Sequence, residues 1–312
     1  MDLALFQSED PQLKSEFVEK LRWACSNIGF FIIKGHGVTE NCVNDAWNIT
    51  KTYFDLPLYE KRKILLGLNG YLYGYSGLEK EALTRSLGKK SLPDLKESFC
   101  VGPYNIQWNC QKTIWPNKPH GFKQIWMQYY MAMEGLSNTL LRAFALALNL
   151  EELWFKDKTN YHASALRALN YPALPPPHKK NQLRAGEHTD YGTFTILKSD
   201  GPGLQVLNKK GKWIHVKNLP NTFVVNLGDL MKFWTSNFWV STKHRVIATN
   251  SDYEQRRQSL AFFHNVNLDT IIKPLEVKAD FSAPIQKHPI LFGEFLHQKH
   301  KAATELSIRK VK

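Results

Sequence analysis

The stretch from residue 186 to residue 198 reads GEHTDYGTFTILK. Two short runs of strand length lie within it, at 186–190 and 192–198, and the second is rich in Thr, Phe and Ile. Many short strands separated by turn residues are typical of an all-β sandwich or a closed double-sheet barrel. The sequence therefore predicts a mainly β core. Its strand-like runs lie near residues 164–171, 186–190, 192–198, 203–207, 212–217, 222–227, 243–248 and 257–266.

Helical patterns flank this β region on both sides. Asp10 followed by Pro11 predicts an N-cap with proline at the first helical position, and the chain closes with an amphipathic pattern from about Leu291 to Glu305. No long Gly/Ser or Pro linker separates the helical part from the β part. We therefore predict one domain over residues 1–312. Its parts are a mostly helical segment 1–95, a β core 96–280 that includes a long helix 121–150, and a C-terminal helix and tail 285–312.

The composition is that of a globular protein, with 43% hydrophobic and 22% charged residues, and it excludes a disordered or fibrous chain. No apolar run approaches the ~18 residues of a membrane span. The four cysteines are scattered without the spacing of a metal site, which favours a reducing compartment. We expect a cytoplasmic monomer without a membrane partner.

The charge is lopsided, because 41 Lys and Arg against 28 Asp and Glu give a net +13. Three interpretations compete: a solvated surface, a nucleic-acid footprint, and a funnel for a small anionic substrate. The basic residues form short clusters such as Lys209-Lys210 and Arg256-Arg257, and not one stripe with interleaved aromatics. This pattern favours a solvated surface or a small anion over nucleic acid.

His188 and Asp190 are candidate metal ligands. In an extended strand, residues i and i+2 point to the same face, so an imidazole and a carboxylate could meet at one point. A lone His-x-Asp pair is a weak motif in a chain with 11 histidines. His244, a polar residue in a strand-like segment, is the third candidate. Two histidines and one carboxylate form a facial triad, which leaves the opposite face of an octahedral Fe(II) open for a co-substrate and O2.

Arg257 and Ser259 share a face by the same period of two. Together they offer a guanidinium fork and a hydroxyl, a pair suited to anchoring a dicarboxylate. The alternative is an ordinary ion pair at the end of a strand.

Three further stretches complete a recognisable order. They read CSNIGFFIIKGHGV at 25–38, DLKESF at 94–99 and RALNYP at 167–172. Followed by His188-x-Asp190, His244 and Arg257-x-Ser259, they resemble the 2-oxoglutarate- and Fe(II)-dependent dioxygenases, in the branch that includes isopenicillin N synthase. The resemblance spans nearly the whole chain.

This resemblance implies a double-stranded β-helix, or cupin-like jelly roll, with His188, Asp190 and His244 on Fe(II). By similarity, 2-oxoglutarate chelates the iron, and its distal carboxylate meets Arg257, Ser259 and Tyr171. The reaction then consumes O2, releases succinate and CO2, and begins on the substrate with abstraction of a hydrogen atom from carbon.

Substrate candidates follow from the faces of three strands. The Arg257 face extends to Phe263 and Asn265, Arg167 shares the face of Tyr171, and one further face is shared by Ser98 and Cys100. A buried, unpaired guanidinium is costly, so Arg167 should meet either a structural carboxylate or a carboxylate of the substrate.

The leading hypothesis is an oxygenase that acts on a small, anionic specialised metabolite by hydroxylation, desaturation or oxidative ring closure. A nucleic-acid or protein demethylase of the same chemistry is a second hypothesis, for which the positive charge would be a polyanion footprint. A co-substrate-independent iron oxidase and a catalytically silent binding protein are further alternatives. The sequence does not identify the substrate or the outcome of the reaction.

Overall fold

A computed structural model describes residues 1–65, 73–103, 115–173, 182–249, 255–276 and 288–299. Residues 292–299 are helical. The other α-helices described are α1 (Pro11–Asn27), α2 (Glu40–Phe54), α3 (Leu58–Lys61), α4 (Phe122–Ala147) and α5 (Asp229–Trp234). The strands described are β1 (Phe30–Ile33), β2 (Gly74–Ser76), β3 (Glu97–Val101), β4 (Ala165–Tyr171), β5 (Ala185–His188), β6 (Phe194–Ser199), β7 (Leu204–Leu207), β8 (Trp213–His215), β9 (Phe223–Leu227), β10 (His244–Val246), β11 (Arg257–His264), β12 (Ile271–Ile272) and β13 (Ile290–Leu291).

The strands form two main antiparallel sheets. The larger sheet has the order β1-β9-β6-β11-β4-β3-β2, and the smaller has the order β5-β10-β7-β8. A short third sheet pairs β12 with β13. This is the predicted mainly β core with flanking helices, arranged as a jelly roll.

Helices α1, α2 and α4 cover one face of the larger sheet. Helix α1 begins as predicted, because Asp10 caps it by accepting a hydrogen bond from the Gln12 amide and Pro11 occupies its first position. Helix α4 is buried along most of its length, and its Phe144 packs edge-on against Phe194 of β6 at 5.3 Å. Burial of these apolar helix faces stabilises the packing of the helices against this face of the sheet.

The opposite face of the larger sheet meets the smaller sheet. A separate apolar cluster lies there, which includes Phe30, Leu169, Val224 and Ala261 from the larger sheet and Val206 from the smaller one. This inner space is only partly filled by side chains, and the candidate site lies in it.

The N-terminal segment contains helices α1 to α3 and also supplies both edge strands of the larger sheet, since β1 pairs with β9 and β2 pairs with β3. The apolar run at 29–33 predicts a buried strand, and β1 is found there. The glycine-rich sequence at 67–77 predicts a loop, whereas residues 74–76 form β2. Helix α5 was not predicted, because six residues are too few to show a helical period. The predicted last helix is present at 292–299, and its remainder lies outside the described residues. Among the helices described, none has the length and apolar character to cross a membrane.

Candidate active site

A cavity of about 180 Å³ opens between the two main sheets. Its walls include residues of β3, β4, β5, β6, β9, β10 and β11 and of the segment that joins β5 to β6. The predicted metal ligands and the predicted co-substrate residues all line it: His188, Asp190, His244, Arg257, Ser259 and Tyr171.

His188, Asp190 and His244 converge at one end of the cavity. One ligand atom from each residue lies within 4.8 Å of the other two. The Asp190 Oδ1 atom is 3.7 Å from His188 Nε2 and 3.6 Å from His244 Nε2. Two imidazole nitrogens and a carboxylate oxygen at these separations fit the donor set of a mononuclear iron ion.

Neighbouring groups fix how these three side chains point. His188 Nδ1 lies 2.7 Å from the Gly186 carbonyl and His244 Nδ1 lies 3.1 Å from the Thr242 carbonyl, so both Nε2 atoms face the cavity. Asp190 Oδ2 accepts hydrogen bonds from Thr195 Oγ1 at 2.5 Å and from Asn226 Nδ2 at 2.7 Å. The other carboxylate oxygen is thereby directed toward the imidazoles, an arrangement typical of metal sites.

Burial, together with the nearby His244, lowers the pKa of His188 to about 3, so its ring is neutral and can act as a ligand. Burial opposes ionisation of Asp190, but attraction from His244 and His188 outweighs it and lowers the pKa of the carboxyl. The site therefore presents a neutral imidazole and an anionic carboxylate, the protonation states that metal binding requires.

His188 and Asp190 do not converge through the i, i+2 geometry of a strand that the sequence pattern predicts. His188 is the last residue of β5, and Asp190 lies beyond the strand. The chain turns there, where the Asp190 carbonyl accepts the Asp229 amide at 2.8 Å. Gly228 allows this close approach, because a Cβ at that position would lie 2.2 Å from the Gly192 carbonyl oxygen.

Arg257 also lines the cavity and is 2% exposed. Its Nε donates to the Pro202 carbonyl at 3.0 Å, whereas both terminal nitrogens have no hydrogen-bond partner among the described residues. Buried donors of a charged group are rarely left unpaired. Two parallel open N–H groups fit a carboxylate, the group that 2-oxoglutarate would place there.

Tyr171 and Ser259 flank this guanidinium. Arg257 and Tyr171 are opposite each other in the β11–β4 pairing, and the guanidinium carbon lies 5.0 Å from the centre of the tyrosine ring. Ser259, two residues along β11, is 1% exposed and also lines the cavity. The structure thus brings all three residues expected around the distal carboxylate into one place.

Phe263, Asn265 and Cys100 also line the cavity. Asn265 lies just beyond the end of β11; its Nδ2 donates to the Ala163 carbonyl at 2.8 Å, and its buried Oδ1 has no partner among the described residues. Burial, opposed by Arg167, raises the pKa of the Cys100 thiol to about 12, so Cys100 is a neutral wall residue.

Arg167 lines the cavity and meets a carboxylate of the protein itself. It forms an ion pair with Glu81 and donates to Ser98 Oγ at 2.7 Å. Ser98 therefore supports Arg167 and does not itself line the cavity.

Lys96, another residue of the cavity wall, was not predicted from the sequence, although the period of two places it on the face of Ser98 and Cys100. Glu81 had no local signal.

Comparison with known proteins agrees with this geometry. Residues 163–266 match the family model of the 2OG-Fe(II) oxygenase superfamily, and residues 1–118 match the model described as non-haem dioxygenase in morphine synthesis N-terminal. A 2-oxoglutarate-Fe(II) type oxidoreductase from Aspergillus fumigatus is 31% identical, over 99% of this chain and 94% of that protein. A homoarginine-6-hydroxylase from Oryza sativa subsp. japonica is 30% identical, over 93% of this chain and 92% of that protein. The crystal structure of a full-length Neurospora crassa protein in complex with alpha-KG has a TM-score of 0.87 and 28% identity, covering 96% of this chain and 94% of that one.

Proposed function

Because this chain belongs to the 2-oxoglutarate-Fe(II) oxygenase superfamily, we propose that it oxidises an unactivated C–H bond of a small, carboxylate-bearing specialised metabolite. The protein is a 2-oxoglutarate-dependent dioxygenase, an oxidoreductase whose cofactors are Fe(II), 2-oxoglutarate and O2. When bound, the iron and the co-substrate supply the activation of O2, with release of succinate and CO2.

In this proposal each group of cavity residues has one task. His188, Asp190 and His244 hold the iron, while Arg257, Ser259 and Tyr171 hold the distal carboxylate of 2-oxoglutarate. The observation that carries the assignment is the buried Arg257 with two open N–H donors in the same cavity as the three metal ligands. In a co-substrate-independent oxidase, a carboxylate of the substrate would have to fill those donors.

The rest of the cavity wall supports the proposed substrate class. Phe263, Leu169 and Ala165 are apolar, and Arg167 and Lys96 are cationic. A pocket of this kind suits a small molecule with an apolar body and an anionic end. The rice relative is named for homoarginine, a small amino acid that carries a carboxylate together with an amine and a guanidinium, so it supports the carboxylate but not a net negative charge. The +13 net charge of this chain would favour the approach of a substrate whose own net charge is negative.

An anaerobic titration tests the function. Fe(II) and then 2-oxoglutarate are added to the metal-free protein, and the weak visible charge-transfer band of the chelate is recorded. We expect the band in the wild type and in His215→Ala, which removes an exposed histidine of β8, and its loss in His188→Ala. Admission of O2 with a panel of small carboxylic acids should then identify compounds that accelerate succinate formation.

Absence of the band in the wild type would contradict the cofactor assignments. A normal band with succinate formation accelerated only by uncharged or polymeric substrates would contradict the carboxylate part of the proposal alone.

A further inference from the structure

Four charged side chains form a cluster on the wall of the cavity. Arg167 pairs with Glu81, and Lys96 lies 3.4 Å from the second Glu81 oxygen and 2.9 Å from Asp94. Two cations and two anions make the cluster electrically neutral. Both cations, Arg167 and Lys96, are among the described residues that line the cavity, whereas Glu81 and Asp94 are not among them.

The two carboxylates of this cluster are held very differently. Asp94 is 2% exposed, and besides Lys96 it accepts the Gly186 amide at 2.9 Å and the Leu83 amide at 3.2 Å. Glu81 reaches the cluster from an irregular segment, its side chain is 23% exposed, and its Oε2 makes no hydrogen bond with the described residues. Asp94 is therefore a fixed counter-ion, whereas Glu81 can turn toward solvent once another carboxylate takes its place beside Arg167 and Lys96, because no buried cation then loses its partner.

Arg167 retains binding capacity while Glu81 is in place. Its Nε is buried and has no hydrogen-bond partner among the described residues. An incoming carboxylate could engage this donor and the terminal nitrogen together, in the bidentate geometry that guanidinium groups favour. Among the described contacts, Arg167 holds Glu81 through its terminal nitrogen and not through Nε.

We propose that Arg167 and Lys96 form the subsite for the carboxylate of the substrate, and that Glu81 occupies this subsite in the substrate-free protein and is displaced when the anion binds. This inference rests on the proposed function, because it assumes a substrate that bears a carboxylate.

The exchange is consistent with the charges of the wall. Replacing one carboxylate by another keeps the cluster neutral, and the released Glu81 regains water. Burial disfavours the Glu81 anion, but Arg167 and Lys96 outweigh it and lower the pKa of its carboxyl to about 2, so Glu81 competes as an anion at neutral pH. An uncharged group gains no comparable attraction, because Glu81 stays in place and already neutralises the cations.

Binding of a matched pair of probes tests the inference. Isobutyrate and its uncharged isostere isobutyramide are titrated calorimetrically, without O2, into protein loaded with Fe(II) and saturating 2-oxoglutarate. Glu81→Gln keeps the shape and removes the competing charge. We expect isobutyrate to bind this variant about fivefold or more tightly than it binds the wild type, with isobutyramide affinity unchanged, since removal of a competing state raises apparent affinity.

Glu79→Gln is the matched control. Glu79 lies two residues away, accepts from Gln182 Nε2 at 2.6 Å and forms no ion pair with Arg167 among the contacts described. It loses the same charge from the same segment, so isobutyrate affinity should equal that of the wild type. Addition of Arg167→Met to Glu81→Gln should abolish the gain. If Glu81→Gln does not fold, Glu81→Asp, which shortens the reach but keeps the charge, should give a smaller gain of the same sign.

Unchanged or weaker isobutyrate binding in the folded Glu81 variant would overturn the inference, as would an equal gain for isobutyramide or no isobutyrate binding in any variant. The chelate band is recorded in the same samples. Its absence would mean that the proposed function fails, whereas a normal band without a gain in isobutyrate affinity refutes the subsite alone.

Discussion

Two buried cations lie on opposite faces of the larger sheet. On the helix-covered face, Lys61 donates to the Phe54 carbonyl and to both oxygens of Glu97, at 2.9 to 3.1 Å, which uses all three of its donors. Tyr75 and Asn170 donate to the same carboxylate. On the cavity face, Arg257 has two terminal nitrogens without a partner among the described residues. We therefore expect loss of Lys61 to lower the stability of the fold, and loss of Arg257 to weaken the binding of a ligand.

Removal of the satisfied cation should give the largest effect on stability. Lys61→Met leaves Glu97 buried without its counter-ion, and we expect the free energy of unfolding to fall by about 3–5 kcal/mol. Urea denaturation of the metal-free protein measures it. Lys63→Met, which removes an exposed ion pair with Glu60, should cost about 0–1 kcal/mol. Equal stability of the two variants would contradict the structural role of Lys61.

Removal of the open cation should affect the ligand and not the fold. In Arg257→Met we expect 2-oxoglutarate to bind about 100-fold more weakly, since two charge-assisted hydrogen bonds are lost. The free energy of unfolding should not decrease, because a buried charge with open donors is removed. Anaerobic calorimetry with Fe(II) present measures the affinity.

The neighbour Arg256 supplies the control for this variant. It pairs with Asp55 outside the cavity, so Arg256→Met should bind 2-oxoglutarate like the wild type. A loss of stability in Arg257→Met without a loss of affinity would place Arg257 with Lys61, as a structural cation.

Asp190 reproduces the same contrast within one carboxylate. Its Oδ2 accepts two hydrogen bonds, while its Oδ1 faces the imidazoles. Thr195→Val removes one of those hydrogen bonds with little change in shape, and we expect Fe(II) affinity to fall about 10–100-fold. Competition with a metal chelator measures it.

Thr193→Val is the same substitution two residues away, where the hydroxyl meets His264 and not Asp190. Its Fe(II) affinity should equal that of the wild type. Equal losses in the two variants would show a general effect of packing and not an oriented ligand.

The sequence predicts those features of the fold and of the site that depend on local pattern. Period-two alternation places Arg257 with Ser259, and the Asp10-Pro11 pair predicts the start of α1. Contacts between distant segments leave no such signal, since Glu81 and Arg167 are 86 positions apart. The position of Asp190 shows a second limit, because the two candidate ligands converge through a turn after β5 and not through strand geometry.

The smallest expected effect concerns a buried histidine that the fold keeps uncharged. His264 lies on the helix-covered face of β11, stacked on Phe194 at 4.6 Å and bonded to Thr193. Burial, with a smaller contribution from His162, lowers its pKa well below the ordinary 6.5. The folded protein thus keeps the ring neutral where the unfolded chain takes up a proton, so stability is complete above pH 6.5 and declines below it. Between pH 6.5 and 5.5 this decline should be about 1 kcal/mol.

In His264→Phe, which retains the stacked ring, that part of the pH dependence should vanish. The difference in the free energy of unfolding between the wild type and this variant, measured by urea denaturation, should therefore shrink as the pH falls from 6.5 to 5.5. Parallel curves would mean that His264 is protonated in the folded state, and that the helix-covered face holds a further charge in need of a partner.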